Sequence, residues 1–143
     1  MSGADMKMES MLVAGVSARV SNDDPAAIGA LWARFRAADI AAPTNPDIIC
    51  VYHDYEGDHE APFRMTIGHR QDAAMGRTGD LATVTVPAQP VIVRDASGPQ
   101  PDALIAAWQA IWGDNLPRAF VADVEFHDAA DPERVTIHVG IRP

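Results

Sequence analysis

The chain is expected to fold as an α+β domain made of two pseudo-symmetric β-α-β-β repeats. In this arrangement one antiparallel sheet carries two helices on one face, with a central ligand cleft where the repeats meet. Three observations predict it. Strand-like and helix-like patterns recur in the same order in both halves. Each half holds one helix with a single apolar face that it cannot bury alone. Trp32 and Trp108 fall at equivalent helix positions, and Gly68 and Gly140 close equivalent strands.

Repeat one, about residues 11–72, opens with the strand-like run Met11 to Val20. Asn22-Asp23-Asp24-Pro25 follows, an acidic cap with proline in the first turn, which starts a helix. Ile28, Leu31, Trp32 and Phe35 then recur at helical spacing on one face. Ala41 to Pro46 is a proline-punctuated loop. Two strands are predicted next, Asp47 to Tyr55 and Phe63 to Arg70, joined by the acidic turn Glu56-Gly57-Asp58-His59-Glu60. Repeat two, about residues 80–143, restarts the order with the β-rich run Leu81 to Val93. Pro87 and Pro90 interrupt that run, so it should bend or lie at an edge. Ser97 to Asp102 is a turn and helix start, after which Leu104, Ile105, Trp108, Ile111 and Trp112 share one side of a helix ending near Gly113. Phe120 to His127 and Arg134 to Ile141 are the last strands. Residues 1–10 are expected to be a disordered tail before a single domain over 11–143.

Composition excludes several function classes. The chain has 143 residues, 48% of them hydrophobic and 22% charged, which suits one globular domain with its own core. No apolar run approaches the ~20 residues that span a bilayer. The opening MSGADMKMES lacks the apolar stretch of a signal peptide, so no membrane association and a cytoplasmic location are expected. Twenty acids against eleven bases give a net charge of -9, and ten of those bases are scattered arginines. Without a basic cluster, direct nucleic-acid binding is not expected, and the negative field favours cationic partners. The single cysteine, Cys50, forms no internal disulfide, and its apolar neighbours read it as a small buried hydrophobe rather than a nucleophile. The five histidines lack compact metal-ligand spacing, so neither a metal nor another cofactor is expected.

Five segments, in one order, carry a family resemblance. They are Ile49 to Glu56 (ICVYHDYE), Phe63 to Gly68 (FRMTIG), the tryptophan-bearing helix Leu104 to Trp112, Val124 to Asp128 (VEFHD), and Val135 to Ile141. Together, from about Met11 to Arg142, the chain resembles the GyrI-like, or AraC-type, effector-binding domains. These also occur as the C-terminal domains of multidrug-sensing transcription regulators. The chain departs from the family pattern at Cys50 (a glycine there), Met65 (an aromatic), Thr136 (an acid), His138 (a tyrosine) and Gly140 (a proline). His138 and Met65 therefore bear on which ligand the cleft accepts.

Glu125 lies between Val124 and Phe126, and strand alternation puts it on one face with Asp123 and His127. That face is either solvated or lines the cleft, and the resemblance implies that Glu125 is the pocket carboxylate. A desolvated carboxylate there would seek a flat, amphipathic cation, with aromatic faces adding cation–π attraction. Tyr52 falls on the corresponding strand of repeat one, placed to stack on a ligand or donate to Glu125. The resemblance points to Trp108 near the pocket, and Trp32, Phe63, Met65, His127 and His138 complete the expected ligand-binding set, with the two histidines beside Glu125. The resulting expectation is a stand-alone receptor for amphipathic, cationic, drug-like compounds. One alternative is a hydrolase of strained electrophilic natural products, with Glu125 as general base and Tyr52 as donor. Another is an inhibitor of a protein partner such as gyrase, and the sequence leaves a protein partner or a homodimer open.

Overall fold

The computed structural model describes residues 4–40, 45–71 and 81–143. Residues 1–3 of the expected tail, 41–44 of the proline-punctuated loop and 72–80 between the repeats lie outside the described residues. The strands and helices run in the order β1 (Met6–Met8), β2 (Met11–Val20), α1 (Pro25–Ala38), β3 (Ile48–His53), β4 (Phe63–Gln71), β5 (Ala82–Val86), β6 (Gln89–Asp95), α2 (Asp102–Gly113), β7 (Arg118–His127) and β8 (Val135–Ile141). All eight strands join one sheet in the order β1-β6-β8-β7-β3-β4-β2-β5. Every pairing is antiparallel.

The two repeats are legible in that order. Repeat one contributes β3-β4-β2 and repeat two β7-β8-β6, so the halves meet where β3 pairs with β7. That seam pairs Val51 with Val124, Cys50 with Glu125 and Tyr52 with Asp123. A pseudo-two-fold axis through Val51 and Val124 therefore relates Tyr52 to Glu125.

Both sheet faces are buried, for different reasons. On the helix face, Leu31 and Phe35 of α1 pack on Val16, Cys50, Phe63, Met65 and Ile67. Trp108 and Ile111 of α2 pack on Val135, Ile137 and Val139, and Tyr52 touches both groups. Fully burying a side chain the size of Phe63 or Met65 contributes roughly 1.5–3 kcal/mol. On the opposite face, Met8, Met11, Val13, Ile49, Val51, Val86, Val91, Ala122 and Val124 form one cluster. Its members come from both ends of the strand order, which requires the sheet to curl around them. No described helix is long and apolar enough to cross a membrane.

The helix signals work as chemistry predicts. The Asp24 carboxylate accepts from the Ala27 amide at 3.3 Å, with Pro25 in the first turn, and α1 ends at Asp39 in the left-handed region (φ 48°). At α2 no cap side chain serves Pro101; instead Gln100 accepts from the Leu104 amide at 3.0 Å and donates to the Ala96 carbonyl at 2.8 Å.

Three expectations are corrected. The tail reading fails at Met6–Met8, which pairs with β6 and buries Met8, because β6 has a free edge that a short apolar segment can cover. The run Leu81 to Val93 is two strands, since Pro87 lacks the amide a continuous ladder needs. β5 pairs with β2 and β6 with β8, far apart in the sheet. Ile105, expected on the apolar side of α2, is 51% exposed, because the covered stripe is the narrower one around Trp108 and Ile111.

Where β2 crosses β4, Gly15 sits opposite Gly68. A Cβ on Gly68 would lie 1.9 Å from the Ala14 carbonyl oxygen, and one on Gly15 1.9 Å from that of Ile67. Only backbone stands in the way, so neither clash can be relieved by a side-chain rotation. Gly68→Ala is expected to lower unfolding free energy by about 3 kcal/mol in chemical denaturation, whereas Gly29→Ala on the open side of α1, with nothing near its Cβ, is expected to leave it unchanged or raise it.

Candidate functional site

Strand alternation at the seam puts Asp123, Glu125 and His127 of β7 on the helix face, beside Cys50 and Tyr52 of β3. Glu125 is 0% exposed. Its Oε2 accepts from the Tyr52 hydroxyl and from Trp108 Nε1, the latter at 2.6 Å. His127 Nε2 lies 2.8 Å from Oε1. The carboxylate thus holds one side chain from β3, one from α2 and one from its own strand, joining both repeats at a single group.

Aromatic rings surround that centre. Tyr52 meets the Trp108 ring at 5.1 Å and the Phe63 ring at 5.5 Å. Trp32 of α1 meets the His127 ring edge-on at 5.1 Å and carries the Arg36 guanidinium 5.5 Å from its own centroid. Met65 is fully buried beside Tyr52, its register partner. Beyond the centre, His59 in the β3–β4 turn stacks on Trp112 of α2 at 5.1 Å, with the rings 5° from parallel. Asn22 holds the same turn through the His59 carbonyl at 2.8 Å.

Burial, reinforced by the neighbouring Cys50 and Glu125, pushes the Tyr52 phenol well above its usual range, so it remains a neutral donor. Burial, then Glu125, does the same to the Cys50 thiol, which leaves it without thiolate character.

Of the expected site residues, Tyr52, Trp108 and His127 touch Glu125 directly, while Phe63, Trp32 and Met65 form the surrounding wall. His138 is elsewhere. It pairs with Val124 and packs against Phe126 at 4.6 Å, on the sheet face opposite Glu125. The expectation that it lines the cleft fails on strand phase: in β8 it is Ile137 that pairs with Glu125, and His138 one residue on must point away. Burial lowers its imidazole below the usual value. The other histidines are dispersed, His53 on the Thr66 hydroxyl and His69 on the Asp47 carbonyl. Among the described residues no group of three or more histidines, cysteines or carboxylates is placed to hold a metal.

A second buried carboxylate, Asp123, was read from the sequence only as a face-mate of Glu125. It is 0% exposed and fully partnered: Arg118 Nη2 donates at 2.6 Å, the Gly140 amide at 2.8 Å, and the Tyr55 hydroxyl also donates. Burial, then Asp123, pushes the Tyr55 phenol up. Three extra residues in β7 make the ion pair possible, because Arg118 pairs with Ile141 while Asp123 pairs with Val139. Phe120 within that bulge takes a left-handed φ of 53°, and its ring lies 4.3 Å beneath the Arg118 guanidinium. Arg118 Nε and Nη1 are buried without a hydrogen-bond partner. No short motif announces such a bulge, and the positive φ at a bulky residue is visible only in the fold.

Removing Arg118 would strand Asp123 in the interior as an uncompensated charge. Arg118→Met is expected to cost about 3–5 kcal/mol of unfolding free energy in urea titration, and Asp123→Asn in that background is expected to recover part of the loss.

Comparison with solved structures shows the fold in other proteins. The chain is similar to an integron cassette protein from the mobile metagenome of Vibrio cholerae, with a TM-score of 0.76 and 20% identity, covering 96% of this chain and 94% of that one. It is similar to SAV2435 bound to tetraphenylphosphonium, with a TM-score of 0.75 and 14% identity over 96% of this chain and 92% of that one. It also matches EcmrR in an EcmrR–DNA complex, with a TM-score of 0.55 and 16% identity, covering 96% of this chain and 56% of that one. Comparison with curated proteins gave no match. Residues 6–133 match the GyrI-like small molecule binding domain, and the chain belongs to that family.

Proposed function

We propose that the protein is a receptor for amphipathic, drug-like cations, held between the two repeats with Glu125 as their counter-charge. One contrast carries the reading. Asp123 and Glu125 are both fully buried on one strand face, yet Asp123 has Arg118 at 2.6 Å, while no described arginine or lysine pairs with Glu125. Tyr52 and Trp108 offer it neutral hydrogen bonds, which support a carboxylate without cancelling its charge. A buried charge held this way retains a strong attraction for a cation that arrives with its own apolar cover.

The walls suit such a ligand. Trp32, Trp108, Tyr52 and Phe63 present aromatic surface from both repeats, and each face can add about 0.5–2 kcal/mol of cation–π attraction. The net charge of -9 favours the approach of cations and disfavours anions. Family membership supports a small-molecule ligand, and the tetraphenylphosphonium bound to SAV2435 supports a cationic one. In the structure Trp108 and His127 lie directly on Glu125, so a ligand must move at least one of these rings aside, a small opening of a kind that side-chain rotation supplies.

Glu125→Gln preserves shape and removes the charge. Calorimetric titration with tetraphenylphosphonium is expected to show at least a tenfold weaker Kd in this variant, about 1.4 kcal/mol, with little change for a neutral aromatic compound of similar size. Equal weakening for both compounds would remove the electrostatic role of Glu125.

A further inference from the structure

We propose that His127 is the resident counter-charge of Glu125, and that a cationic ligand binds by displacing the His127 proton. Cation capture is then coupled to proton release. This rests on the reading of Glu125 as the ligand's counter-charge and specifies how that site is regulated.

The two carboxylate oxygens of Glu125 are served differently. Oε2 is held by Tyr52 and Trp108, one a phenol that burial keeps neutral and the other an indole that carries no charge. Oε1 faces His127 Nε2 at 2.8 Å. His127 is therefore the one group on this carboxylate able to switch between neutral and positive. It also reaches water: its side chain is 16% exposed while that of Glu125 is 0%. The spacing has a simple origin, since residues two apart on a strand share a face and β7 is regular from Asp123 to His127.

Among the described residues, the surrounding charges leave this pair to itself. On β7, Asp123 is matched by Arg118 at 2.6 Å, and Asp128, just after that strand, lies 3.9 Å from Arg134. On β3, Cys50 is held neutral by burial, and the residue of β8 opposite Glu125 is Ile137. Asp47, before β3, accepts the Ala129 amide at 2.9 Å, and His69 of β4 turns its Nδ1 to the Asp47 carbonyl. From α1, Arg36 lies against the Trp32 ring, and that ring stands edge-on to His127. α2 contributes Trp108, which is uncharged.

Two positive charges against one buried carboxylate repel each other strongly, so a fixed cation reaching Glu125 lowers the hold of His127 on its proton. Linkage makes the effect reciprocal: a proton on His127 weakens the cation by the same factor. His127 thus works as a built-in competitor, holding the site closed at low pH and yielding it as pH rises.

Tetraphenylphosphonium is a suitable probe because it carries a permanent charge and no proton. Its Kd for the full chain, measured by calorimetry from about pH 5.5 to about pH 8, is expected to fall as pH rises. His127→Gln keeps an N–H donor toward Oε1 but cannot titrate, and its profile is expected to be flat. Titrations in two buffers of different ionisation enthalpy are expected to report up to one proton released by the wild type and none by the variant. A flat wild-type profile, or an equal slope in His127→Gln, overturns the proposal. The receptor reading fails separately, if Glu125→Gln binds the probe as tightly as the wild type at the upper end of the range.

Discussion

The structure depends on a buried carboxylate that no described arginine or lysine neutralises. Carrying a charge into an interior costs several kcal/mol even after relaxation, and proteins ordinarily offset that cost with an ion pair. Asp123 follows the ordinary course through Arg118, the Gly140 amide and Tyr55. Glu125, two residues away on the same face, is served by a phenol, an indole and an imidazole. That asymmetry separates a carboxylate that holds the fold together from one kept for something else.

The fold makes this arrangement affordable by distributing the work between repeats. Duplication brings β3 against β7, and the seam sets Tyr52 of one repeat and Glu125 of the other on one face at related positions. α1 and α2 then close over that face from the two sides, with Trp32 over His127 and Trp108 on Glu125. The opposite face is anchored by an apolar cluster that reaches both ends of the sheet. The bulge in β7 fixes the near end of the site by bending Arg118 back over Asp123.

Much of this was legible in the sequence because it follows from short-range periodicity. The helices were read from i, i+3, i+4 apolar spacing and from Asp24-Pro25, and the phase of β7 placed Glu125 and His127 together by alternation alone. The family resemblance added what periodicity could not, that this face is the covered one. What was missed depends on long-range partners. Met6–Met8 is too short to signal a strand and forms one only because β6 offers an edge. Pro87 marked a break in a β-rich run without revealing that the two pieces join distant parts of the sheet. His138 is expected in the cleft from its place in the family pattern, whereas its face is set by the register of β8 on β7. The Arg118–Asp123 pair arises from three extra residues in a bulge, a feature that hydrophobic patterning does not encode.

The central claim is that Glu125 is where a cation binds, and a crystal structure of the protein with tetraphenylphosphonium tests it most directly. The account predicts the phosphonium between α1 and α2, its phosphorus within about 6 Å of the Glu125 carboxylate, phenyl rings against Tyr52 and Trp32, and the ring of His127 or Trp108 displaced. A phosphonium bound away from Glu125, for instance in the open surface cavity lined by Asp95, Asp131 and Glu133, with Tyr52, Trp108 and His127 still closed on the carboxylate, would contradict it.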